Sequence, residues 1–145
     1  MKNKMTRREA RTAAFSLIYE KSMRDDGLED ILGFAREARE FSLDDYAMRL
    51  VNLTFENLDE IDGKIERHLS NWKLSRIPKV TLAIMRLAVC EIDYFPKIPV
   101  SVTINEAVEL AKEYATEDDA SYLNGVLGSY VKAALPVKDQ KEPEA

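Results

Sequence analysis

Arg7, Arg8 and Arg11, with Lys2 and Lys4 just ahead of them, are the residues best suited to a chemical task in this chain. Guanidinium and ammonium groups at this spacing bind phosphates, which gives affinity for a polyanion without reading base sequence. At about 100° per residue, Phe15 and Tyr19 fall beside the basic face, where each ring can serve the core or stack on a base. Three arginines on one helix also suit a merely solvated face, so both readings stand. Catalytic motifs do not compete. His68 is the single histidine and Cys90 the single cysteine, and no GxGxxG, GxxxxGK[ST] or HExxH pattern occurs. No metal, cofactor or catalytic residue is therefore expected, and the chain does not read as an enzyme. The acidic pairs Asp44-Asp45 and Asp118-Asp119 suit first helical turns, where the helix dipole favours negative charge.

Charge is unevenly spread. The net charge is −5, yet the first 24 residues hold seven Lys or Arg against Glu9 and Glu20, leaving the remainder strongly acidic. A basic arm on an acidic body can hold a polyanion at one place without making the whole surface adhesive to nucleic acid.

The arm needs a helix to fix it. Thr6-Arg7-Arg8-Glu9 has capping-box spacing, so a helix is predicted from Arg7, with residues 1–6 as a loose basic leader. Ala10, Ala13, Ala14 and Leu17 form an apolar stripe, and the three arginines are placed on a different face. Asp25-Asp26-Gly27 ends this helix. A second is predicted over 28–41, a third after Ser42, and a fourth capped by Asn57.

Everything packs around KVTLAIMRLAVCEIDYF, residues 79–95, which is apolar on nearly every side and so belongs inside a core. Its Arg86 and Glu91 and its length exclude a membrane span. Cys90, within it, reads as a buried reduced thiol. Arg86 must find a partner, and the expected one is Glu106 or Asn105 of the following helix.

After Pro96-Lys97-Ile98-Pro99, VSVTINEAVELAKEY reads as a helix with Val102, Ala107, Val108, Leu110 and Ala111 on its apolar side. Thr116-Glu117-Asp118-Asp119 opens the last helix, which carries Tyr122, Leu123, Val126, Leu127, Tyr130 and Val131. Within it, Asn124-Gly125 is expected to permit close helix packing. Residues 136–145 read as an unstructured polar tail. The expectation is one all-α domain over residues 7–135, in a chain that lacks a signal peptide and stays in the cytoplasm.

LSNWKLSRIPKVTLAIMRLAVCEI, followed by IPVSVTINEAVELAKEYATEDDASYLNGVL, closely resembles the signature of the NusB family of bacterial transcription antitermination factors. RREARTAAFSLIY resembles the family's arginine-rich start, so the likeness runs from residue 7 to about 131. It implies a seven-helix fold in two subdomains that binds the boxA element of nascent ribosomal RNA. It also implies a protein partner, the small-subunit ribosomal protein NusE, within an antitermination complex with RNA polymerase. The family's basic start falls on Arg7, Arg8 and Arg11, and its aromatics fall on Tyr19 and Tyr122. Asp118, four residues before Tyr122, shares a region that contacts RNA in the family. Glu9 interrupts an arm that is often more continuously basic, and Gly128 stands where an Asp is common.

The expected RNA contacts are thus Lys2, Lys4, Arg7, Arg8, Arg11 and Tyr122, with Tyr19 and Asp118 as further RNA or partner contacts. The competing expectation is a helical adaptor or homodimer that works by protein contact alone. A NusB-like domain fused to a ribosomal RNA cytosine methyltransferase is a third, set aside because the chain has no room for the catalytic domain.

Overall fold

A computed structural model describes residues 5–23, 43–70 and 73–134, and within them the protein is built of helices alone. In chain order these are α1 (Arg7–Met23), α2 (Asp45–Glu56), α3 (Leu58–Glu66), α4 (Lys79–Tyr94), α5 (Val100–Tyr114) and α6 (Glu117–Ala134), with a 3-10 turn at Leu74–Arg76. The helix expected over 28–41, residues 1–4 of the leader, and the tail lie outside the described residues, whereas Met5 at the leader's end is tied through its N–H to Asp44. None of the described helices is long and apolar enough to cross a membrane.

α4 is the hub, as its sequence demands. Eleven of its sixteen residues are buried, and it packs against each of the other five helices. α1 and α2 pair on one side of it, and α5 and α6 on another. Ile84 and Met85 have no exposed surface; cutting either back to Ala costs about 2–5 kcal/mol through lost burial and the cavity left behind. Extended Pro78 and Pro99 stand immediately before α4 and α5, where a residue without an N–H wastes no hydrogen bond. Cys90 is buried and unpaired, and burial pushes its thiol up to about 12.

Three of the helix starts, those of α1, α2 and α6, are capped by side chains. Thr6 Oγ1 accepts from Glu9 N at 3.0 Å and Glu9 Oε1 accepts from Thr6 N at 2.8 Å, completing the capping box of α1. At the other end of α1, Lys79 Nζ donates to the Ser22 carbonyl, a cation where the dipole favours one. Asp44 caps α2, its Oδ1 accepting from Ala47 N and its Oδ2 from Met5 N. Thr116 Oγ1 accepts from Asp119 N and starts α6.

Four expectations are corrected. Asn57 does not cap α3; its side-chain amide donates back to the Leu53 carbonyl and closes α2. Val102 is 41% exposed, because the inward position of the first turn of α5 goes to Thr103, whose hydroxyl is needed inside. Gly125 is exposed and a Cβ there would meet nothing within 4 Å, so helix packing does not require it. Arg86 pairs with Asp62 of α3, not with α5: its Nε and one terminal nitrogen each lie 2.8 Å from a carboxylate oxygen. On α4 the Arg86 position looks toward α3, and Glu91, five residues on, looks toward α1 and α5.

Candidate nucleic-acid interface

The three arginines of α1 occupy three different environments. Arg11 is the i−4 neighbour of Phe15 and the i−7 neighbour of Ile18, both buried, so helical geometry turns it inward. Its Nε donates to both oxygens of Glu91, at 3.1 and 2.9 Å. The Glu91 carboxylate, itself 1% exposed, also accepts from the Tyr46 hydroxyl at 2.5 Å and the Thr103 hydroxyl at 2.6 Å. One carboxylate therefore ties α1, α2, α4 and α5 together. Burial and the Glu91 hydrogen bond both push the Tyr46 phenol well above its ordinary range. Arg11, expected as an RNA contact, is thus 5% exposed, with its Nε on Glu91 and one terminal nitrogen 3.5 Å from Glu106, and it borders the groove between α1 and α5.

Arg8 faces out, with 71% of its side chain exposed. It grips Glu106 of α5 in a two-pronged ion pair, Nε to Oε1 at 3.3 Å and a terminal nitrogen to Oε2 at 2.8 Å. That hydrogen bond, first among several acidic influences, raises the guanidinium pKa further. Glu106 also lies 3.5 Å from a terminal nitrogen of Arg11, so the acid expected to serve Arg86 serves the arm instead. Arg7 is exposed and lays its guanidinium over the Tyr46 ring, 3.8 Å from the centroid. Lys2 and Lys4 lie outside the described residues.

Between α1 and α5 runs a groove of about 280 Å³. Arg8 and Thr12 line one wall, and Glu106, Glu109 and Glu113 line the other. Aromatic side chains lie farther along the same two helices. Buried Phe15 sits 6.3 Å from the Tyr19 ring and 5.2 Å from the Tyr114 ring, centroid to centroid. Tyr19 is half-buried, whereas Tyr114 is 45% exposed. Its phenol is raised by desolvation first and by neighbouring Glu113 second. Tyr114 was not apparent as a site residue in the sequence, because at i+4 from Leu110 and i+3 from Ala111 it reads as the last step of the apolar repeat, yet it is 45% exposed.

Asp118 is exposed in the first turn of α6, just beyond the short connection from Tyr114. Tyr122, one turn on, is half-buried against the core. Its hydroxyl oxygen is buried without a hydrogen-bond partner among the described residues, and burial raises its phenol. The two helices thus present an exposed guanidinium at the groove and, farther along, an exposed ring and a half-buried ring, with Asp118 at the turn beyond. Cationic forks and ring faces are what an unpaired polynucleotide engages. Among the described residues no cluster of His, Cys, Asp and Glu could hold a metal ion.

A NusB family model matches residues 8–132. The transcription antitermination protein NusB of Acetivibrio thermocellus is 44% identical over 140 residues, covering 95% of this chain and 97% of that protein. Its counterpart from Natranaerobius thermophilus is 44% identical over 128 residues, covering 85% and 92%. Among solved structures, T. maritima NusB superposes with a TM-score of 0.81 at 35% identity, covering 96% of this chain and 98% of that one. A complex of antitermination factors NusB and NusE with double-stranded RNA contains a chain matching at TM-score 0.79 and 30% identity, covering 88% and 96%.

Proposed function

The chain belongs to the NusB family, and we propose that it is an RNA-binding transcription antitermination factor that engages the boxA element of nascent ribosomal RNA together with NusE and acts with RNA polymerase. The observation that carries this reading is the α1–α5 groove, where exposed Arg8 is followed along the same helices by Tyr19 and exposed Tyr114 around buried Phe15. Arg7 and Arg8 hold phosphates, joined by Lys2 and Lys4 of the leader. Tyr114 and Tyr19 offer ring faces to unpaired bases, and Tyr122 and Asp118 complete the contact beyond the α5–α6 turn. The resemblance to a protein seen with NusE and RNA supports the choice of partners.

The test is a titration of the full chain with boxA-like and scrambled single-stranded RNA, with and without NusE, at several salt concentrations. Preference for the boxA-like strand, strengthened by NusE, is expected. Tyr114→Ala should cost about 1 to 3 kcal/mol of stacking and leave the salt slope nearly unchanged, whereas Arg8→Gln should lower the slope by roughly 0.7. Equal and salt-insensitive binding of both RNAs would overturn the reading. NusE binding without any RNA binding would replace it with the adaptor reading.

A further inference from the structure

We propose that the RNA track continues past the N-terminus of α1 onto a second cationic site formed by Arg49 of α2 and Lys97 of the α4–α5 turn. The inference rests on the RNA-binding reading above and extends it to residues outside the arm. Arg7 stands at the start of a ladder: its guanidinium covers the Tyr46 ring at 3.8 Å, the Tyr46 ring meets Phe95 at 4.9 Å, and the Arg49 guanidinium covers the Phe95 ring at 4.5 Å. Both rings are buried, and both arginines are exposed. The ladder therefore holds two cations at fixed positions on one end of the molecule.

Stacking uses the face of a guanidinium and leaves its N–H edge free, and that edge is the part that forms paired bonds to phosphate oxygens. The contrast with Arg8 matters, because Glu106 already occupies the Nε edge of Arg8 and offsets its charge. Asp44, the buried acid beside Tyr46, is committed to the backbone N–H groups of Met5 and Ala47. Lys97 is exposed two residues beyond Phe95 and adds a mobile point charge beside the fixed pair. A strand leaving the groove past Arg8 and Arg7 meets these cations next.

The experiment compares a short boxA-like single strand with the same strand extended by a few nucleotides at each end, titrated against the full chain over a range of salt. The wild type should bind the extended strand more tightly and with a steeper salt slope. Arg49→Gln and Lys97→Gln should each lower that slope by about 0.7, which at 0.1 M salt is roughly a fivefold loss relative to 1 M, and leave the short strand unaffected. Arg49→Lys should keep the slope. Circular dichroism melting accompanies each variant, and Lys97→Gln, in an exposed turn, carries the test if Arg49→Gln does not fold. Binding of the short strand with no gain on extension, or a gain that survives both substitutions, overturns the inference alone. Failure to bind the short strand overturns it together with the RNA-binding reading.

Discussion

Replacing Arg11 by Met should destabilise the fold before it affects any ligand. Arg11 and Glu91 are 5% and 1% exposed, and the carboxylate receives Arg11 Nε twice in addition to the hydroxyls of Tyr46 and Thr103. Removing the cation leaves a charge out of reach of water with two neutral donors. Stranding one partner of a buried pair costs about 3–5 kcal/mol, which for a chain of this size is a fall of roughly 10 °C in Tm. Urea unfolding followed by circular dichroism measures it directly. The combined change Arg11→Met with Glu91→Leu should recover most of the loss, because no lone charge remains and only the two hydroxyls lose an acceptor, at about 1 kcal/mol each. A loss below about 1 kcal/mol in the single variant, or no recovery in the double, would refute the account of Glu91 as the buried junction of four helices.

Arg86→Met should cost less, about 1–3 kcal/mol by urea unfolding, because the stranded Asp62 side chain keeps 19% exposure and can be rehydrated; a loss as large as that of Arg11→Met would contradict this. Stability should fall with rising pH above about 9. The Cys90 thiol lies at about 12 in the fold against an ordinary 9.0, and Tyr46 and Tyr130 are raised from 10.0 by burial and by carboxylate hydrogen bonds. The unfolded chain then loses these protons first, so the stabilisation is complete below pH 9 and is lost upward, at up to about 1.4 kcal/mol per pH unit for each group. Unfolding midpoints at stepped pH check the trend, and rapid modification of Cys90 in the native protein would contradict its burial. Glu106→Gln should raise RNA affinity roughly threefold at low salt, the effect of removing one unit charge about 7 Å from a phosphate in water. Fluorescence anisotropy reads this, and a drop in affinity would mean that Glu106 positions Arg8 for RNA.

The fold was legible where the sequence pattern had one physical solution. Residues 79–95 could only be a buried helix, and α4 runs Lys79–Tyr94; Thr6 with Glu9, and Thr116 with Asp119, could only be helix starts. The candidate site was legible in part. Pairing of charges across helices depends on azimuth and helix order together, and a wheel of one helix supplies only the first. Thus sequence order points Arg86 to the following helix, whereas its partner Asp62 lies on an earlier one. Charge alone groups Arg11 with Arg7 and Arg8, whereas its spacing to buried Phe15 and Ile18 turns it inward. Tyr114 emerged only when α1 and α5 lay side by side and Phe15 met its ring.

The division among the arginines bears on how an RNA could bind. Arg11 is fixed inside by Glu91, and this anchors α1 against α5 so that Arg8 faces the groove at a set height. Arg8 in turn is held by Glu106, with Glu109 and Glu113 behind it on the same wall. A phosphate entering meets an Arg8 whose charge Glu106 already offsets, and exposed ion pairs are weak enough that loosening this one is close to neutral. Net affinity therefore comes from released counterions along the less neutralised cations and from stacking on rings such as Tyr114. An acidic wall beside the track also opposes strands that gain nothing from stacking. On the proposed reading, the chain alone binds RNA modestly and with strong salt dependence, and a second protein that adds contacts on the same strand raises affinity without any change in this groove.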